Sequence, residues 1–226
     1  MEYAFNFKLL IEHILPLLAG VKTTLLMAAA IIGLASVEGL ILCVAKISRF
    51  RILAGFASAL VEIFRNVPRI VLILWIYYSI AYYFKINITP WLAAFWALGL
   101  QEGAFMAEIF RAGIESVDRG EIEAGRSIGL SYSQILRKIV LPQAVRTTVP
   151  AFTNQVVMSI KTTTIASVIG VTGLLYWTSN LSMVTFHPIE FYLGAAVIFF
   201  AICWSVSQLA AYFDRRLSVY EASSHG

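Results

Sequence analysis

The sequence predicts an all-α membrane protein, a polytopic bundle of about five transmembrane helices, and three observations point there. Hydrophobic residues make up 59% of the 226-residue chain and charged residues only 13%, against roughly 25% charged in soluble domains. The mean hydropathy is +0.79, and the length suits one compact bundle with short loops. The Lys and Arg residues gather between alternate apolar runs, the pattern that orients a membrane protein. The net charge of +4 is then a matter of topology, with no need of nucleic acid. Cys43 and Cys203 lie inside apolar runs and read as small buried hydrophobes, with neither metal-ligand spacing nor a disulfide framework.

Each segment has its own reason. Residues 1–22 mix Phe and Leu with Glu2, Lys8, Glu12 and His13. They lack the basic start, uninterrupted apolar centre and cleavage site of a signal peptide. They read as an amphipathic segment on the outer membrane surface that breaks at Pro16. The transmembrane domain spans residues 23–215. Its first span covers residues 23–45 and ends before Lys46, Arg49 and Arg51; residues 53–67 form a partly polar feeder helix. The second span starts near Pro68 and closes in Tyr77, Tyr78, Tyr82, Tyr83 and Phe84, aromatics suited to a membrane–water boundary. The third starts at Pro90 and ends near Arg111. A polar island follows, then a fourth span at residues 148–172 and a fifth at 189–212. Residues 216–226 form a tail after Asp214, Arg215 and Arg216.

With five spans and the N-terminus outside, eleven basic residues fall inside: Lys46, Arg49, Arg51, Arg111, Arg119, Arg126, Arg137, Lys138, Arg146, Arg215 and Arg216. Lys8, Lys22 and Lys85 fall outside, and Arg65, Arg69 and Lys161 sit at membrane depth. The excess predicts an outer N-terminus and a cytoplasmic C-terminus. The polar island, a loop over residues 115–147, is therefore cytoplasmic.

Within the island, residues 119–135 suit a short helix with Glu121 and Glu123 in its first turn, where acids complement the dipole. Gly129 and Ser131 allow a turn and a restart through Lys138, and Pro142 blocks further helix. The elbow is too short to be a domain, so Ile128, Leu130, Ile135, Leu136 and Ile139 need burial against something.

Glu123-Ala124-Gly125, then Gly129, then Ile139-x-Leu141-Pro142 resembles the EAA loop of ABC importer permeases, with Gly125 where Ala is usual. Further stretches resemble the polar amino acid permeases of that group: Thr23-Thr24-Leu25, Glu62-Ile63-Phe64-Arg65-Asn66-Val67-Pro68, residues 103–113, Leu141-Pro142-Gln143-Ala144 and Lys161-Thr162-Thr163. The match runs over roughly residues 20–215.

The resemblance implies a type I ABC importer permease fold in the bacterial inner membrane. It makes the island a coupling helix docked on a cytoplasmic ATPase through Glu123, Ala124, Gly125, Gly129, Ile139, Leu141 and Pro142. It also implies two ATPase subunits, a second permease subunit (identical or related) and an extracytoplasmic amino-acid-binding protein. The chain has no Gly-x-x-x-x-Gly-Lys-Ser/Thr phosphate loop. ATP and Mg would then be bound by the partner, and this chain would carry no cofactor of its own.

Charges at membrane depth are costly and are functional candidates by default. The candidate substrate cavity holds Glu38, Glu102, Lys161, Thr162 and Thr163. Two readings stand for Glu102 and Lys161: they receive the ammonium and carboxylate of an amino acid, or they neutralise each other as a buried pair. Glu62, Arg65 and Arg69 read as an interfacial ion network. The polar face Asn154, Gln155, Ser159 and Thr162–Thr164 suits either a cavity or interhelical hydrogen bonds. The family usually has Asp at Thr162 and small or neutral residues at Glu38 and Glu102. Extra carboxylates favour a cationic amino acid.

His13, His187 and His225 read as surface histidines without metal spacing, and no metal site is expected. No Ser-His-Asp or Cys-His set converges at one depth. The rival readings are a passive channel and an intramembrane enzyme using Glu102 or Lys161 as acid or base.

Overall fold

Small residues along one helix decide how the others pack. The computed structural model describes residues 5–222, with side chains described through residue 212; Glu2, Asp214, Arg215, Arg216 and His225, which the sequence reading used, lie outside the described side chains. Every regular element among the described residues is helical. The long helix Pro90–Glu115 (α5 in chain order) starts at Thr89, whose hydroxyl accepts the Leu92 N–H at 3.3 Å, with Pro90 preset for the first turn. It buries Ala93, Ala94, Ala97, Gly99, Gly103, Ala104 and Ala107. Such a run lets neighbouring backbones approach closely, the usual basis of helix association in lipid.

The chain begins with α1 (Lys8–Glu12), breaks at His13 and continues as α2 (Ile14–Lys46). The expected break at Pro16 is therefore corrected to His13. Pro16 lies in the first turn of α2, where a missing N–H costs no helical hydrogen bond. Helix α2 runs along α5 in close contact. A Cβ on Gly39 would meet the Met106 Cβ at 2.5 Å, and one on Gly99 would meet the Leu34 Cδ2 at 2.5 Å. Here the close approach requires glycine.

Helices α3 (Arg51–Asn66) and α4 (Arg69–Phe84) meet at an elbow of extended backbone at Val67 and Pro68. Met27, Ile31, Leu72, Ile73, Ile76 and Leu98 form the main core between α2, α4 and α5. After α5 come α6 (Arg119–Ser127), the single turn α7 (Tyr132–Ile135), a π-helical turn (Leu136–Val140) and α8 (Leu141–Thr162).

Pro142 does not stop the helix, contrary to expectation. The wide turn in front of it lets the Leu141 N–H bond to the Leu136 carbonyl, five residues back. That register frees the carbonyls that a proline ring would crowd. Helix α8 therefore enters the bundle as a continuation of the elbow.

Beyond α8 the helix tightens to 3-10 over Thr163–Ile169 and ends at Gly170, φ +89°. A further helix, α9 (Leu174–Thr185), follows at a 50° bend. This helix falls between the expected fourth and fifth spans, and Thr178, Ser179, Asn180, Ser182 and Thr185 interrupt its apolar pattern. It is held by the Leu174 N–H, which donates to the Thr24 hydroxyl at 3.0 Å in a buried position. The last helix, α10 (Pro188–Ala222), packs on α8 and α9. Near its start, the Asn6 N–H donates to Glu190 Oε1 at 2.8 Å.

Two described helices are individually long and apolar enough to cross a membrane, Ile14–Lys46 and Pro188–Tyr212. The bent pair Tyr132–Ile169 and Leu174–Thr185 makes a third if it is taken as one broken span. Helix α4 is apolar but has only 16 residues, and α5 carries Gln101, Glu102, Glu108 and Arg111 along its length.

Candidate functional site

The elbow of residues 119–142 builds itself from local signals. Asp118 caps α6, its Oδ1 accepting the Gly120 N–H at 2.6 Å. Glu121 takes the first turn, and Glu123 falls one position beyond it. Gly129, φ +81°, reverses the chain in a conformation that a side chain would strain. Ser131 and Gln134 then form a reciprocal capping box that starts α7. The side chains of Gln143 and Glu121 hydrogen-bond across the elbow.

The expected apolar residues find most of their cover inside the elbow. Ile135 is buried beside Val117 and Val140, with Leu130, Leu136, Ile139, Ile114 and Ile122 packed around them. A Cβ on Gly125 would sit 2.8 Å from the Ile139 Cδ1, so glycine lets α6 lie close on the second limb. Ile128 is the exception: it stays 78% exposed, as does Tyr132 at 76%. Glu123 and Ala124 are exposed beside them, with Leu141 and Pro142 exposed where the elbow joins α8. The structure thus brings Gly125 and Ile139 together and turns Glu123, Ala124 and Ile128 outward.

The C-terminal ends of α2 and α5 are clamped to each other by charge. Lys46 pairs with Glu108, which also accepts from Arg111 at 2.7 Å, and Arg111 reaches Glu115 at 2.5 Å. The sequence reading counted Lys46 and Arg111 only as topology signals. The i, i+3 and i, i+4 spacing of Glu108, Arg111 and Glu115 was the available clue.

The second polar centre lies at Glu102, which is 0% exposed. Its Oε1 accepts from Arg69 Nη2 at 3.1 Å. Its Oε2 accepts from the Gln155 amide and from Ser159 Oγ, the latter at 3.1 Å. One carboxylate thereby joins α4, α5 and α8. Burial of a charge demands such pairing and hydrogen bonding.

Next to it, Gln101 donates to the Phe64 carbonyl at 2.8 Å and the Val67 carbonyl at 2.7 Å. These are terminal carbonyls of α3 with no helical donor left, so Gln101 secures the α3–α4 elbow.

Several expectations are corrected here. Lys161 is not the partner of Glu102. Gln155 and Ser159, one turn apart, face α5, whereas Lys161 is two residues past Ser159 and so about 200° round the helix. It is exposed and carries no side-chain partner among the described residues. The Glu62–Arg65–Arg69 network does not form either. The bend at Pro68 separates Arg69 from the face of α3, and Arg69 turns to Glu102. Glu62 accepts from Asn66 at 3.0 Å, while Arg65 and Arg69 both lie over the Phe105 ring, at 5.4 and 5.5 Å.

Thr162 and Thr163 are buried, and their hydroxyls donate to the Met158 and Ile160 carbonyls of their own helix. Glu38 packs against Gly103 with its Oε2 buried and without a hydrogen-bond partner. Arg69 was missing from the predicted cavity set, whereas Gln155 and Ser159 stood on the polar face expected to serve a cavity or interhelical hydrogen bonds, and both hydrogen-bond to Glu102 of α5.

A helical membrane protein with a structured polar elbow and a buried ionic junction between spans has the make-up of a transport permease. Residues 39–219 match the family described as binding-protein-dependent transport system inner membrane component, and the chain belongs to that family. It is an inner-membrane permease component of an ABC importer, a non-catalytic transport subunit, as the sequence predicts. The nopaline transport system permease protein of Agrobacterium fabrum (strain C58) is 33% identical, with 90% of this chain and 88% of that protein covered. The probable glutamine ABC transporter permease protein of Bacillus subtilis (strain 168) is 37% identical over 92% and 94%. A crystal structure of an amino acid ABC transporter with histidines matches at TM-score 0.90 and 30% identity, covering 95% of this chain and all of that one.

Proposed function

We propose that this permease forms half of a translocation pathway for a polar amino acid and draws its energy through the elbow. The chain is the inner-membrane permease component of an ABC importer for amino acids. In our reading five spans cross the membrane with the N-terminus outside, residues 1–22 lie at the outer surface, residues 23–215 form the transmembrane domain, and residues 216–226 are a cytoplasmic tail. The loop of residues 115–147 docks on one of two ATPase subunits. A second permease subunit completes the pathway, and an extracytoplasmic binding protein delivers the solute. ATP and Mg are bound by the ATPases.

The exposed ridge Glu123, Ala124 and Ile128 on a self-supporting elbow carries this reading. A loop that only linked two spans would gain nothing from a capped helix, a left-handed glycine and an outward isoleucine. The π-turn continues the elbow directly into α8, so a push on α6 is delivered to the span that holds Gln155 and Ser159. Closure of the ATPases would then move the elbows of two permeases together, a rigid-body change between two packed states.

Co-purification with an ATPase and ATP-dependent uptake into proteoliposomes test the proposal. Changing Glu123 or Gly129 is expected to abolish uptake. Nucleotide-independent conduction would establish a channel, and turnover by the chain alone an enzyme.

A further inference from the structure

We infer that Arg69, held by Glu102 and seated on Phe105, receives the α-carboxylate of the transported amino acid. The inference rests on the amino-acid importer reading given above. Glu102 itself is out of reach of the substrate's ammonium in this arrangement, because it is 0% exposed and enclosed by its donors Arg69, Gln155 and Ser159. It acts as an anchor, and what it anchors is a cation with capacity to spare.

Arg69 uses Nη2 on Glu102, while its Nε is buried and has no partner. The guanidinium lies 5.5 Å from the Phe105 ring centroid, within cation–π reach, and its Nη1 makes no hydrogen bond among the described residues. The side chain is 26% exposed, so the group is neither sealed in the core nor loose in solvent. Arg65 lies over the same ring and makes no ion pair among the described residues. Two guanidiniums share one aromatic ring, and only Arg69 pairs with the buried carboxylate.

The other nearby acids form no ion pair with either guanidinium among the described residues. Glu62 engages Asn66, and Glu38 lies against Gly103 on α2. A planar fork with spare donors is suited to a carboxylate, which it can grip bidentately. Every amino acid carries that group, so Arg69 would set the class of substrate and leave side-chain choice to other positions. Lys161, to which one of the two sequence readings gave this task, is on the opposite side of α8 from the Glu102 partners and has no comparable anchor.

The test uses the complete transporter, with ATPases and binding protein, in proteoliposomes. Radiolabelled L-arginine, L-glutamine and L-glutamate serve as uptake probes, and the wild type identifies which is carried. Arg69→Gln is expected to raise KM for that probe at least tenfold, with Arg69→Lys intermediate because it keeps charge without the fork. The double variant Arg69→Gln/Glu102→Gln separates recognition from charge balance, since it leaves no unpaired buried carboxylate. Its uptake is expected to stay as poor as that of Arg69→Gln. Return of the double variant to wild-type KM would overturn the inference and make Arg69 a structural counter-ion. If the wild type takes up none of the three, nor any other of the common amino acids supplied in the same assay, the amino-acid reading beneath it is overturned instead.

Discussion

The elbow at residues 119–142 and the junction at Glu102 solve the burial of polar chain in opposite ways. The elbow folds its apolar residues onto each other and turns charge and Ile128 outward. The junction turns its charge inward and spends both oxygens of Glu102 on donors from neighbouring helices. The first arrangement leaves a surface for a partner; the second fixes three helices relative to one another. A permease needs both, since motion supplied at one must reach spans that move as units.

If the junction carries the packing, damage there should cost most. Arg69→Leu leaves Glu102 buried without its cation and is expected to lower stability by about 3–5 kcal/mol, read as thermal unfolding of the purified complex in detergent. Replacing Arg69 and Glu102 together by neutral residues should recover most of that stability. Gly39→Leu tests the helix contact next to the junction. Its new side chain must displace Met106, and a loss of about 1–3 kcal/mol is expected by the same assay.

Lys46→Met probes the charge clamp between the two regions. Glu108 keeps Arg111 as a partner, so the loss should be about 1–2 kcal/mol, near the lower end for a hydrogen bond to a charged group. Ile128→Ser should sharpen the contrast most. Stability is expected to change by about 0.5 kcal/mol or less, while the amount of ATPase retained on affinity purification falls severalfold. If stability fell and ATPase retention did not, the elbow would be a packing element and the comparison would fail.

The elbow was legible in the sequence because its signals are local. Gly129 requires a particular backbone angle, Ser131 and Gln134 make a short-range cap, and the island's polarity separates it from lipid. Ile128 could be named as apolar, but its exposure depends on which side of α6 meets Ile135 and Ile139. The π-turn before Pro142 was not legible, since a proline predicts a break and the compensating hydrogen bond involves backbone alone.

At the junction the sequence named Glu102 and the polar run of the fourth span. It assigned the wrong cation, because membrane depth was judged along one axis and the rotation of α8 was unknown. Arg69 was assigned to the local i, i+4 pattern with Arg65, which the bend at Pro68 disrupts. Helix α9 was lost because hydropathy weighs its hydroxyls against it, although those of Thr178, Ser182 and Thr185 donate to carbonyls of their own helix.

The central claim is that the outward face of α6 meets an ATPase. The most direct measurement places a photoactivatable maleimide on Ile128→Cys in membranes holding the assembled transporter. Cys43 and Cys203 are both buried, which favours labelling at the introduced site. Irradiation should cross-link position 128 to the ATPase subunit, and ATP should change the yield as the subunits close. Cross-links to lipid or to the permease alone, unchanged by nucleotide, would contradict the claim.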